Sequence, residues 1–561
     1  MKILRALLLA FFILSIPSYS LALFTPNNKV GIHLAVPNDD DIQRASDLTN
    51  ATGGKWGYVT LVIQENDRSR DKWQQVFDKL REKKLIPIIR LATSPQGPVW
   101  KKPKGEDVKE WVSFLSSLNW VVKNRYVILF NEPNHGQEWG GAINPKEYTE
   151  VADIFSRELK KNNQDYFVML AGLDAAAPSA APAYQDEAVY LQGIVNEKPD
   201  IFKNIDGLSS HSYPNPGFAG GPAERGRNTV NNYDWELGYL KSLGVQKDLP
   251  VFITETGWST TTKSPETVSD YLVSAYQNLW LPDDRVRAVT PFVLNYQAEP
   301  FLQFSWQKKD STEMQPFYAS VQALIKQEGQ PEQIQKGKIS LDLPKELFIS
   351  STYAFPIRLE NKGQALWDNN DGYELRVSEG SLPNAFFSNI ESIKPFSSGE
   401  VKLFLKTGVE KATNTVQIAL YKGLTKIMDA GVWTYITGPL PKLTFEAPLL
   451  LKIRREKERV YEFQLFDAQE QLVFKKKDIT IKNGEGVIEQ IRNVYVAGKY
   501  RAVVLTEYYL PRQTYLRIHK DFNEVSFKPL IPGDFNKDGK FGLDDIGTAF
   551  KNPGLLLQFV P

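Results

Sequence analysis

Residues 126–136 read YVILFNEPNHG. Tyr126 to Phe130 form an unbroken apolar run, the pattern of a strand buried on both faces. The run passes directly into Asn131, Glu132, Pro133, Asn134 and His135. Taking a carboxylate out of water is costly unless the group is paired or used. The stretch therefore predicts a core strand whose far end opens into a site.

Seven further segments carry the same texture. They are KVGIHLAV (29–36), WGYVTLVI (56–63), LIPIIRLAT (85–93), YFVMLAGLD (166–174), IDGLSSHSY (205–213), PVFITETGW (250–258) and VTPFVLNYQ (289–297). With RYVILFNE (125–132) they make eight. Helical periodicity fills the gaps, as in Trp73, Val76, Phe77 and Leu80, or Val108, Trp111, Val112 and Leu115. One helix start is punctuated: Asn144 suits the cap, Pro145 the first turn, and Glu147 stands three residues on. Strands alternating with helices over 27–328 predict a closed (β/α)8 TIM barrel. An open doubly wound sheet is the rival, but no glycine-rich phosphate loop follows the first strand. The Ala/Pro stretch DAAAPSAAPAY (174–184) reads as a loop over the barrel mouth.

Beyond residue 330 the helical period stops. Short strands with Gly, Asn and Pro turns predict two all-β immunoglobulin-like sandwiches, 335–438 and 439–528, joined near TGPLPK. Spacing domains are the default reading for both. The whole is a multidomain chain, as 561 residues require.

Composition narrows the function. A formal net charge of +1 with no basic stripe argues against nucleic acid as a partner. Aromatics reach 12%, which suits either a sugar-contacting surface or β-rich packing. The absence of cysteine excludes disulfides and thiolate chemistry. Residues 1–22 carry Lys2 and Arg5 before an apolar run and small residues near Ser20 and Ala22, which predicts an export signal, with an uncleaved anchor as the alternative. Either way the expected location is secreted or cell-surface.

A barrel of this kind displays its chemistry at the C-terminal ends of its strands. Glu132 ends the fourth predicted strand and Glu255 the seventh. Arg90 lies on the third, His211 and Tyr213 near the end of the sixth, and His33 on the first. Two carboxyls facing across the mouth meet the requirement of glycoside hydrolysis, one protonating the leaving oxygen and the other attacking the anomeric carbon. His211 or Tyr213 is placed to hold Glu255 charged, and Arg90 adds positive potential. His33 and Arg90 read equally as substrate contacts or as structural groups beneath the site. His135 reads as a plain loop residue. The loop SYPNPGFAGGPAERGRN (212–228) is a candidate cleft wall.

FNEPN after the fourth strand and ITETGW on the seventh resemble the retaining (β/α)8-barrel glycoside hydrolases of the paired-glutamate clan, clan A, in its β-xylosidase-like and cellulase-like families. The resemblance covers the barrel. It implies that Glu132 is the acid/base, Asn131 a holder of the sugar 2-hydroxyl and Glu255 the nucleophile, with retention of configuration. It also implies a tryptophan platform after strand eight, for which Trp306 is the candidate. No cofactor is expected for catalysis, and an oligo- or polysaccharide is the expected substrate. A transglycosylase would use the same pair. A carbohydrate-binding adhesion protein with an inactive barrel is the rival from another class, though it would not need both glutamates.

The C-terminal stretch 531–561 contains DFNKDGKFGLDD, residues 534–545. Asp534, Asn536 and Asp538 stand at positions 1, 3 and 5, Gly539 at 6, the Lys540 carbonyl at 7 and Asp545 at 12, which is calcium-loop spacing. An EF-hand places glutamate at 12; aspartate there, followed by IGTAF, resembles a dockerin segment. The chain shows a single such segment, so a cohesin-like partner is only weakly implied.

Overall fold

The computed structural model describes residues 26–453, 458–481 and 484–560. The expected export signal at 1–22 lies outside the described residues. Among the described residues no helix is long and apolar enough to cross a membrane. The chain divides into two compact units, Met1–Ile334 and Gln335–Pro561.

Among the described residues of the first unit, eight parallel strands alternate with eight α-helices. The strands are β1 (Gly31–Leu34), β2 (Gly57–Gln64), β3 (Leu85–Ala92), β4 (Arg125–Leu129), β5 (Tyr166–Leu170), β6 (Leu208–His211), β7 (Val251–Glu255) and β8 (Val286–Val289). The helices are α1 (Asp39–Thr49), α2 (Arg70–Glu82), α3 (Val108–Ser117), α4 (Pro145–Asn162), α5 (Glu187–Glu197), α6 (Asn232–Ser242), α7 (Pro265–Ala275) and α8 (Pro316–Gln322). Strands β1 to β5 form one sheet in chain order and β6 to β8 another. Single parallel bridges, Met169 with Gly207 and Val30 with Val289, join the two sheets at both seams.

The interior is packed with side chains. Tyr58, Tyr126, Phe167 and Phe252 from β2, β4, β5 and β7 meet edge-on or tilted, with Tyr126 and Phe252 ring centres 5.3 Å apart. This aromatic plug leaves the opposite, C-terminal strand ends for polar groups. The cap read from sequence is present: the Asn144 side chain accepts from the Glu147 amide at 3.1 Å, and Pro145 opens α4.

The eighth strand differs from its expected position. The apolar run 289–297 suggested it, yet β8 is Val286–Val289 and the chain leaves the sheet at Thr290. Arg287 interrupts the apolar pattern of VRAV, which hid the strand. Trp306 falls with this error. It is 2% exposed, its ring packs edge-on against Phe317 at 5.2 Å, and it belongs to the core, not to a sugar platform. Trp306→Ala is therefore expected to cost about 3–5 kcal/mol of stability through the cavity it leaves. Denaturant unfolding checks this, and a large rise in KM at unchanged stability would contradict it.

In the second unit two pairs of sheets each enclose their own core. The first pair sets strands 337–340, 352–361, 398–406 and 385–387 against 346–348, 425–438, 413–422 and 373–379 around Ile357, Trp367 and Leu403. The second sets 485–488, 442–446 and 522–526 against 472–480, 460–466, 499–506, 508–517 and 532–534 around Phe463, Val504 and Ile518. The tail expected as a separate segment from 531 is built into this second pair. Pro532–Asp534 joins the five-stranded sheet beside Tyr508 and Tyr509, and Phe559–Val560 pairs with Lys452–Ile453.

Candidate active site

The register of the strands brings the expected residues together. Arg90 on β3 stands beside Ile128 on β4, and His211 at the end of β6 stands beside Glu255 at the end of β7. A bridge between Asp174 and His211 brings the loop after β5 to the same rim. Between β4 and its glutamate the backbone turns sharply, with Phe130 at φ +73° and Glu132 at φ +31°. Both are left-handed positions that side chains disfavour, and such strain concentrates where a group must be aimed. Proline at 133 holds the following turn, and the Glu132 amide donates to the Gly172 carbonyl at 3.2 Å.

Two carboxyls occupy the centre of the rim. One atom each from Glu132, His211 and Glu255 lies within 4.8 Å of the other two. His211 Nδ1 is 2.7 Å from Glu132 Oε1 and 3.9 Å from Glu255 Oε2. Arg90 Nη1 binds Glu255 Oε1 and donates to Asn131 Oδ1 at 2.8 Å. The Tyr213 hydroxyl donates to Glu255 Oε2 at 3.0 Å.

These contacts set the charges. Burial opposes ionisation of Glu255, but the charges of His211 and Arg90, then His33, outweigh it and hold its carboxyl at about 2. Burial likewise disfavours a charged His211, yet Glu255 and Glu132 raise it above the ordinary imidazole value. Burial and the adjacent Glu255 lift Tyr213 well above the usual phenol range, so it stays a donor. Glu255 is thus the carboxylate held ionised and hydrogen-bonded on both oxygens.

The remaining candidates separate. His33 is buried beneath the rim, with Phe292 edge-on at 5.0 Å, and burial followed by the charge of Arg90 lowers it to about 3. It carries charge only in the acid range where Glu255 itself titrates and is neutral above it, a support below the site. Arg90, Asn131, Glu132, Tyr213 and Glu255 all line a cleft of about 310 Å³, with Trp100, Phe130, Phe218, Phe292, Phe301 and Phe304 among its walls. The aromatic wall after β8 is supplied by Phe292, Phe301 and Phe304, not by Trp306.

Two groups on the wall escaped the sequence reading. His135 is not a plain loop residue: it lines the cleft, bonds Asp174 at 2.8 Å and meets Tyr184 edge-on. Glu138 also lines the cleft, from the short helix Gly136–Trp139. Burial, then the charge of Glu132, raises its carboxyl to about 7. Its signal in the sequence was its place between the motif and Trp139, a large residue that is 1% exposed and anchors the helix.

Gly172 shows how tightly the imidazole is seated. A Cβ at this position would lie 2.6 Å from His211 Nε2. Gly172→Ala is expected to push His211 off Glu132 and to lower activity on the order of 10²-fold, the scale of an ångström misplacement. Steady-state kinetics on a folded variant checks this, and wild-type activity would contradict it.

A family model described as Cellulase (glycosyl hydrolase family 5) matches residues 119–281, less than half of the chain but including both glutamates. No curated protein sequence matches the chain. Among solved structures, the chain is similar to an endo-beta-1,4-glucanase triple mutant from Xanthomonas axonopodis pv. citri, at 12% identity over 52% of this chain and 98% of that one, with a TM-score of 0.38. It is also similar to a family 39 glycoside hydrolase from the gut symbiont Bacteroides cellulosilyticus WH2, at 15% identity over 85% and 81% of the two chains, with a TM-score of 0.37. A beta-mannanase from Thermomonospora fusca matches at 11% identity over 54% of this chain and 89% of that one, with a TM-score of 0.35. The family match supports a glycoside hydrolase domain over residues 119–281.

Proposed function

We propose that the chain is an exported, retaining glycoside hydrolase working by double displacement at the mouth of a (β/α)8 barrel. The observation that carries this reading is the unequal pair of glutamates. Glu255 is held ionised by Arg90, Tyr213 and His211, while Glu132 stands across from it with oxygens of the two within 4.8 Å. That spacing suits direct attack by one carboxylate and leaves no room for the water an inverting enzyme places between its pair.

The roles follow from the contacts. Glu255 attacks the anomeric carbon as Glu132 protonates the departing oxygen. Water, deprotonated by Glu132, then releases the glycosyl ester. Arg90 serves both partners: it neutralises Glu255 and fixes Asn131 through Oδ1, so that the amide nitrogen faces Glu138 and has a second N–H for the sugar 2-hydroxyl. The aromatic walls offer flat faces to sugar rings. A panel of aryl glycosides and polysaccharides, with product configuration followed by NMR, tests the reading. Cleavage with retention supports it; glycan binding without cleavage would favour the adhesion rival.

The tail is proposed to hold a structural calcium ion through Asp534, Asn536, Asp538, the Lys540 carbonyl and Asp545. Asp534 Oδ1 is a buried oxygen with no hydrogen-bond partner, which a cation would satisfy, and Gly539 takes the turn at φ +81°. Asp545 fits less directly, because its oxygens accept from the amides of Phe535, Asn536 and Gly542 at 2.8, 3.0 and 2.8 Å. Calcium at about a hundredfold its Kd should stabilise the unit by about 2.7 kcal/mol. Calorimetry on the whole protein checks this; no binding heat and no thermal shift on chelation would dismiss the ion.

A further inference from the structure

Two carboxyls outside the cleft take no part in the double displacement. Glu187 opens α5 and is 0% exposed, and Glu236, one turn into α6, is 2% exposed. Their side chains are hydrogen-bonded to each other, in the sense that favours the proton on Glu236 and the charge on Glu187. Ionised carboxylates only accept, so that bond requires a proton between the two. The Asn232 amide touches both and donates to Glu187 Oε1 at 3.1 Å. The loop 212–228 brings Arg227, 3.4 Å from Glu187 Oε2, and the same guanidinium binds Asp186 at the cap of α5 at 2.8 Å. Strand β6 brings the Ser210 hydroxyl, which donates to Glu236 and lies 2.8 Å from that of Ser212. His211, the next residue on β6, faces the other way, to Glu132. One cation thus stands against three carboxyls.

The pair ties together both ends of one cleft wall. Ser210 leads into His211 and Tyr213. Arg227 and Asn228, whose amide donates to Asn232 Oδ1 at 3.1 Å, close the loop that carries Phe218. Tyr213 and Phe218 both line the cleft. We propose that Glu187 and Glu236 are positioning residues that share a proton behind β6, hold the 212–228 wall in place through it, and release that wall in alkali when the proton leaves. The glycosidase reading enters only through what the wall encloses. In alkali the proton passes to hydroxide, and two like charges are left in a buried space with an arginine that Asp186 also claims. Burial raises Glu187 to about 7, and burial followed by the charge of Glu187 raises Glu236 well above its ordinary value. The folded chain therefore holds these protons more tightly than the ordinary 4.5. The stabilising contribution is complete below about pH 4.5 and is lost as pH rises through 7.

Wild type, E236Q and E187Q are compared as full chains. Glutamine keeps a hydrogen bond and has no proton to lose. Denaturant unfolding, followed by tryptophan emission, is read as the ratio of wild-type to variant folding constants, which cancels titrating groups far from the pair. For E236Q that ratio should fall about tenfold per pH unit between about pH 5 and 7. Hydrogen exchange, corrected for the intrinsic rate at each pH, reads the loop itself. Protection of 212–228 should drop about tenfold or more between about pH 7 and 9 in wild type and persist in both variants. Over the same range KM for a cleaved glycoside should rise in wild type and stay level in E236Q. A ratio that does not change with pH, or a loss of loop protection equal in wild type and both variants, overturns the shared proton. A level wild-type KM overturns its link to the cleft wall. If no glycoside is cleaved while unfolding and exchange behave as expected, the proton-sharing pair stands and the glycosidase reading is what fails. E187Q keeps the test decisive should E236Q fold poorly.

Discussion

Glu255→Gln is expected to abolish turnover, with kcat falling on the order of 10⁴-fold or more on every substrate, since in the proposed double displacement Glu255 is the group that forms the glycosyl ester. The amide nearly preserves shape, so a loss of this size cannot be assigned to packing. It does break the ionic contact with Arg90, leaving a buried guanidinium with one partner fewer. A second variant separates these effects. Glu255→Gly with added azide should recover part of the activity and give a glycosyl azide of inverted configuration, because a small anion can enter where the carboxylate stood. Turnover by E255Q within tenfold of wild type would remove Glu255 from the nucleophile's role. The same carboxyl has a consequence for stability. Its folded value of about 2 lies below the ordinary 4.5, so the contribution is present above about pH 4.5 and is lost as pH falls toward 2. E255Q should flatten acid unfolding in that window.

Glu132→Gln should produce the second-largest effect, and its dependence on the leaving group is more telling than its size. General acid catalysis contributes roughly 10²–10⁴-fold. That loss is expected in full for alkyl glycosides and polysaccharides, which cannot depart unprotonated. For a dinitrophenyl glycoside the first step should proceed nearly as in wild type, and the glycosyl-enzyme should accumulate as a burst, because the base for the second step is missing. An equal loss on both substrate types would show that Glu132 orients the site and does not transfer a proton.

The linear sequence determined a good deal of this. The eight-fold alternation of apolar runs and helical periods locates seven of the eight strands to within a few residues at each end. FNEPN and ITETGW mark their glutamates because a carboxylate at the end of a buried strand has few physical excuses. Arg90, His211 and Tyr213 were visible for the same reason: strand phase alone aims them at one rim. Strand eight was missed because Arg287 breaks its apolar pattern, and Trp306 was misassigned because a loop has no period from which to count.

Only the tertiary structure decided what surrounds the pair. His135 precedes and Glu138 lies in the single short turn Gly136–Trp139, where neither orientation nor burial follows from spacing, and whether a carboxyl keeps its proton depends on how deeply the fold buries it and on which charges stand beside it. The bond from Arg90 to Glu255 spans 165 positions, and that from His211 to Glu132 spans 79. Periodicity places a residue on a face, since that is a property of the local backbone. Charge, proton affinity and reach are properties of what the fold brings alongside.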